Sequence, residues 1–226
     1  LTTAQVQALT TGQIAALTTD EIVAFKTAQL ISLSTSQIVA LTTAQVQSFT
    51  TSQLQSLSTA QIASMELVDV SSMTGLQIAS LQTNQVQAFT SAQIGALTTT
   101  QVFSLTVDGF AALKTSQIQA LTTTQIVAMT AAQFAVMTTT QFQALTPSQV
   151  QSMTTAQVAS LTTDVIATLT TLQLNALTPD QVHAMTTAEI RALKASQISG
   201  LTSAQFASLT NEQVAALTTA QVQALT

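Results

Sequence analysis

A unit of eight residues, Leu-Thr-Thr-Ala-Gln-Val-Gln-Ala in its cleanest form, repeats from Leu1 to Thr226 without one insertion. Any fold must therefore be built from one small unit used over and over. Counted from the residue after each large apolar one, the chain is Leu1, then 28 octads, then Thr226. An unbroken period replaces the expectation of one or two globular domains with a single uninterrupted array over 1–226, a solenoid or filament segment. The array starts and stops in mid-pattern, with no initiator methionine, signal peptide or polar terminal unit, and so reads as a segment of a longer protein.

Let Thr2 be position 1 and Leu9 position 8 of the first octad. Position 5 is then apolar in every unit, position 8 is always Leu, Met or Phe, and position 7 is almost always Ala or Ser. Position 4 is Gln in 23 of the 28 units, too regular for a merely solvated surface. Thr-x-x-Gln before Val or Ile is the capping box of a helix start: the Thr hydroxyl accepts from the N3 amide while the Gln side chain reaches back to the N-cap amide. The preceding Leu at N′ and the position 5 residue at N4 complete a hydrophobic staple. Pro147 and Pro179 both fall at position 2, the N1 site where a missing amide hydrogen costs nothing. Asp20, Glu21, Asp180, Glu189 and Glu212 sit at positions 3 or 4, in the first turn where the helix dipole favours negative charge.

A cap every eight residues restarts the helix every eight residues. One continuous helix fails on phase, because eight steps of about 100° carry the apolar stripe about 80° past two turns, more than a supercoil absorbs. Strands fail on parity: positions 5 and 8 would point to opposite faces of a sheet, whereas a helix puts them on one. The predicted fold is all-α, a solenoid or superhelix of very short capped helices, one per octad. On a helical wheel positions 5, 8 and 1 face inward, 3 and 6 outward, and 2, 4 and 7 lie on the flanks where coils touch. Two buried apolar side chains yield about 3–6 kcal/mol and a cap about 1 kcal/mol, against about 8–16 kcal/mol to order eight backbone residues. An octad folds only with its neighbours.

Polarity is carried by hydroxyls and amides: Lys and Arg number 4 against 9 Asp and Glu, the net charge is −5, and Cys, Trp and Tyr are absent. Phosphate recognition needs clustered cations, so nucleic acid is excluded as a partner. Apolar runs fall far short of the roughly 20 residues that span a bilayer, so the chain is not expected to be transmembrane. The lack of cysteine fits a bacterial surface protein that avoids disulfides during export. His183 and Asp180 supply two ligands where a metal needs three or four, so no metal site is expected. With one histidine and scattered lysines as bases, the many hydroxyls form no activated nucleophile. Gly-rich phosphate loops and the calcium nonapeptide are also absent. No enzyme and no cofactor are expected.

Three units break the pattern, with Asp69, Gly109 and Val165 in place of Gln, and read as drift or as contacts with another chain. Lys26, Lys114 and Lys194 stand at position 1, where each loses the hydroxyl half of a capping box at about 1 kcal/mol. Solvated drift or an intersubunit salt bridge accounts for them. Val23, Ile31, Val39, Phe103 and Val127 occupy the outward position 6, which marks lateral packing or an inward lean between coils. These eight residues are the candidate assembly contacts.

The run Leu-Thr-Thr-Ala-Gln-Val-Gln-Ala-Leu-Thr, as at Leu41 to Thr50 with small changes, resembles the Thr/Gln/Ala-rich repeats of very large secreted bacterial proteins of the adhesin-like exoprotein kind. The resemblance implies an extracellular or cell-surface location, a structural role, and attachment through the rest of a parent protein. The opening Leu-Thr-x-x-Gln-Val is also similar to the first helix of the repeats of bacterial transcription-activator-like effectors. Those repeats are far longer and carry a base-reading loop and cations missing here, so only the capping chemistry is shared. The leading expectation is a rod or filament-forming segment, an adhesin stalk or extracellular fibre subunit, that self-associates end to end or laterally. An ice- or surface-binding threonine array is the alternative, although position 1, read as inward, would remove half its row. A protein-binding solenoid ranks third, because positions 3 and 6 are poor in the Trp, Tyr and Arg that anchor interfaces.

Overall fold

The computed structural model describes residues 1–225. Among them are 28 helices of four to six residues, from α1 (Thr3–Gln7) to α28 (Thr219–Gln223), each running from position 2 to position 5, 6 or 7 of its octad. No strand occurs among the described residues, and the expected all-α solenoid of capped helices is the observed architecture.

The octad of α12 (Ser91–Ala96) illustrates the local logic. Thr90 is extended (φ −69°, ψ 159°), its Oγ1 accepts from Gln93 N, and Leu97 closes the helix, again extended (φ −58°, ψ 139°). Two successive extended residues, position 8 and the following position 1, thus form the corner between helices. Helices commonly end on a left-handed residue, usually glycine; here no described residue has positive φ. That is why an array of so many corners needs only 5 glycines.

The chain divides into two compact units, Leu1–Ala120 and Leu121–Thr226. In the first, each helix packs on the one three octads later: α6 (Thr43–Ser48) on α9 (Leu67–Ser72), α9 on α12, and α12 on α15 (Thr115–Ala120). The second repeats the arrangement, with α16 (Thr123–Ala128) on α19 (Pro147–Ser152) and α19 on α22 (Thr171–Ala176). A second linkage runs four octads: Gln93 Nε2 donates to Ile62 O at 3.0 Å and Met65 O at 2.8 Å in the first unit. Gln173 does the same to Phe142 O and Leu145 O, both at 2.9 Å, in the second. Within each unit a turn of the coil therefore takes between three and four octads.

Position 5 forms the centre of the core: Val6, Ile62, Ile94, Val150 and Ile190 are fully buried. Position 8 covers it, with Leu57, Met65, Leu97 and Met153 about 4% exposed. Positions 1 and 4 depart from the helical wheel. Thr90, Thr50 and Thr98 are exposed, as caps generally are here, while the glutamines expected on the flank are buried. The wheel assumes a continuous helix, but the cap residue stands off the helix on extended backbone. The amide, in turn, is drawn under the neighbouring coil by carbonyls that need donors.

In the first described coil Gln5 and Gln13 are exposed although Val6 and Ile14 are fully buried. In the last described coil the pattern reverses: Val214 and Val222 are exposed while Gln213 and Gln221 are buried. Each layer thus faces its predecessor with amides and its successor with aliphatic groups.

Removing an amide from the interior should cost far more than removing one from the first coil. Gln93→Ala strips the side-chain donor from the buried Ile62 and Met65 carbonyls and is expected to lower unfolding free energy by about 2–4 kcal/mol, against about 1 kcal/mol or less for Gln5→Ala. Urea denaturation of both variants measures the difference. In the same assay Ile94→Ala should cost about 2–5 kcal/mol, and Val222→Ala about 0.5 kcal/mol or less.

Candidate functional site

Candidate chemistry on a repeat protein has to come from the octads that differ. At the three lysine octads the N-cap hydroxyl is missing, yet the helix start is kept. Gln29 Oε1, Gln117 Oε1 and Gln197 Oε1 accept from the lysine amides at 2.7, 2.7 and 2.6 Å. The orphaned N3 amides turn to the lysines' own carbonyls at 2.9–3.0 Å. Gln85 N and Gln82 O do the same at 3.0 Å. This tightened first turn gives the N3 amide an acceptor in place of the missing hydroxyl.

Lys114 lines an open groove of about 450 Å³ in the first unit, together with Thr59, Asn84 and Gln87. No carboxylate or histidine lines it. His183 is held by a contact invisible in sequence: its Nδ1 lies 2.9 Å from Ser208 O, one coil away. Gln47, Gln55 and Gln143, also at position 6, donate across the same 25-residue step to Ser72 O, Ser80 O and Thr168 O. Position 6 is therefore an outer rung between coils. Among the described residues no three His, Cys, Asp or Glu gather to hold a metal, and no helix is long and apolar enough to cross a membrane.

Of the apolar residues at position 6, Val23, Ile31 and Val39 are 44%, 53% and 41% exposed, Phe103 61% and Val127 48%. They do not lean inward. The first three belong to α3 (Thr19–Val23), α4 (Thr27–Ile31) and α5 (Thr35–Val39), whose packing partners are helices three octads away. Consecutive octads stand a quarter to a third of a turn apart, so these side chains are spread around the coil and not aligned in one stripe.

The glutamine column contains the residues that sequence reasoning undervalued. Asp69 is 2% exposed with Oδ2 unpartnered, and burial, aided by the Glu66 charge at the N-cap of the same helix, pushes its carboxyl up to about 6. The sequence offers drift or a contact with another chain for it; the signal that distinguishes it is that an ionised acid at position 4 is acceptor-only in a place that needs a donor. Val165 fills the same place with apolar bulk and is 1% exposed. Gly109 leaves it empty, with Thr106 Oγ1 and Val86 Cγ2 standing 3.0 and 3.4 Å from where a Cβ would lie.

Comparison with known proteins gives one family. Its model, described as the ALTTAQ repeat, matches residues 18–51, 62–99, 70–107, 110–147, 134–171, 155–187 and 180–211, well over half of the chain. The matches beginning at 62 and 70 are one octad apart, as expected of a sequence that resembles itself at that step. No curated protein matches the chain.

Asp69→Gln restores the donor and is expected to raise unfolding free energy by about 1–3 kcal/mol at neutral pH. Lys114→Thr restores the hydroxyl cap but should gain less than about 1 kcal/mol, because the tightened turn already occupies the Gln117 amide. Chemical denaturation of the two variants beside the parent chain checks both.

Proposed function

The chain belongs to the ALTTAQ repeat family, and we propose from that premise that it is a structural repeat segment of a secreted or cell-surface protein, associating with further copies of itself. The observation that carries this reading is the inter-coil glutamine ladder. It joins side-chain amides to backbone carbonyls, which every octad possesses whatever its variable residues, so length is gained by adding octads and no position is reserved for chemistry. The absence of cysteine and the dominance of uncharged polar groups support an extracellular setting. Exposed Val23, Ile31, Val39, Phe103 and Val127 are the proposed lateral contacts, and Lys26, Lys114 and Lys194 the proposed polar ones.

Negative-stain electron microscopy and analytical ultracentrifugation of the purified chain should reveal elongated or fibrous assemblies whose proportion grows with concentration. Dispersed monomers at every concentration would count decisively against self-association. Replacing Val23, Ile31 and Val39 together by Ser should weaken lateral assembly while leaving the helical circular dichroism spectrum unchanged.

A second reading is favoured by one observation, the exposure of threonines at positions 1 and 2. These rows support an ice- or surface-binding array, even though each position 1 hydroxyl is already engaged as a cap. A thermal-hysteresis assay without activity disposes of that reading.

A further inference from the structure

Two buried side-chain oxygens lack a hydrogen-bond partner among the described residues, Asp69 Oδ2 and Glu189 Oε1, and both stand in the glutamine column. Glu189, on α24 (Thr187–Ala192), is the more telling because it has the length and shape of the glutamine it replaces. Its Oε2 accepts from Thr186 N at 2.5 Å, the role that Oε1 of glutamine plays elsewhere. Its Oε1 is thereby left in the place of the amide nitrogen. In the preceding rung Gln181 Nε2 donates to Met153 O at 2.6 Å and Val150 O at 3.2 Å. In the following rung Gln197 Nε2 donates to Leu169 O at 2.9 Å and Ile166 O at 3.2 Å. Counted back from Glu189, the steps of 28 and 31 residues that the neighbouring rungs use lead to Leu161 and Val158, whose carbonyls the repeat assigns to this rung. Ionised, the carboxylate meets two carbonyl oxygens with no hydrogen between them, at a residue 2% exposed. An unpaired buried acceptor facing acceptors is unfavourable.

We propose that Glu189 is a proton-operated latch between coils of the second unit: in acid Oε1 takes a proton from solvent and donates it as O–H to the Leu161 or Val158 carbonyl, and at neutral pH the rung stands open. No countercharge removes the need for that proton. The elements packed against α24 are α21 (Thr163–Thr168), carrying exposed Asp164, and α27 (Asn211–Ala215), carrying exposed Glu212. The coils reached through the ladder, α20 (Thr155–Val158) and α28, carry no titratable group. Arg191 on α24 and Lys194 at the next N-cap are exposed, as is His183 at the end of α23 (Pro179–His183), whose first turn holds Asp180.

Burial holds the Glu189 carboxyl above the ordinary range against the opposing effect of the Thr186 bonds. A raised folded-state value contributes stability that is complete below the unfolded value and is lost as pH rises through the folded one. Glu21 occupies the same position in the first unit without an earlier coil, and the Thr18 bonds lower its carboxyl. The sign of the effect is therefore set by the carbonyls and burial that the preceding coil supplies, not by the residue type.

The test compares Tm of the full chain and its Glu189→Gln variant between about pH 3.5 and pH 7.5, with Glu21→Gln as a second variant. Asp69 is common to all three and cancels. Glu189→Gln should exceed the parent by about 2–8 °C at the upper end, with the gap narrowing steadily into acid. Glu21→Gln should show the opposite trend, the parent losing ground as pH falls. A Glu189→Gln gap that stays constant or widens in acid overturns the proposal, as does a Glu189 carboxyl carbon that titrates by NMR at or below the ordinary glutamate range.

Discussion

The side-chain amide of glutamine at position 4 is the interaction on which the rest of the structure depends. A helix of five or six residues has far more orphan backbone groups than internal hydrogen bonds, since four amides and four carbonyls lack intrahelical partners whatever its length. One glutamine answers both ends. Its oxygen caps the start of its own helix, as Gln93 does for Thr90 N at 2.8 Å, and its nitrogen supplies buried carbonyls at the end of the helix four octads before. Neither a carboxylate nor an ammonium can accept and donate at once, which is why a nearly uncharged residue dominates the column.

Packing then follows from the polar arrangement. Because the amides occupy the face turned toward the preceding coil, the large apolar groups at positions 5 and 8 fill the interior, and Ala or Ser at position 7 lets coils approach. Serine at that position keeps its hydroxyl satisfied locally, as in Ser56 Oγ to Gln53 O at 2.7 Å. The family relationship and this bonding scheme fit together, since a backbone-directed ladder tolerates wide variation at positions 3 and 6. Beyond the first coil, where Glu21 stands, the exceptions in the column are Asp69, Gly109, Val165 and Glu189; they mark where a rung is empty, apolar or acidic, and only the acids respond to pH.

Much of this was legible in the residues. The phase of the octad ruled out a long helix, the parity of positions 5 and 8 ruled out strands, and the capping box together with Pro147 and Pro179 located each helix start to within a residue. The single-helix wheel misplaced Thr and Gln because it treats the cap as part of the helix and ignores the coil alongside. For the same reason Glu189 read as a dipole-stabilised first-turn acid. Its Thr186 contact is indeed local, but the carbonyls it faces lie about four octads upstream.

What the sequence determined by itself was the unit: where each helix begins and ends, and which two side chains it must bury. Those are contacts within about eight residues, encoded in the octad that contains them. Only the tertiary structure decided the number of octads in a turn, the burial of the glutamine column, and the fate of His183, whose carbonyl partner is 25 residues distant. The octads are nearly alike, so no residue specifies which neighbour it will meet. That choice falls to the corner angle of two extended residues, accumulated over several turns of chain.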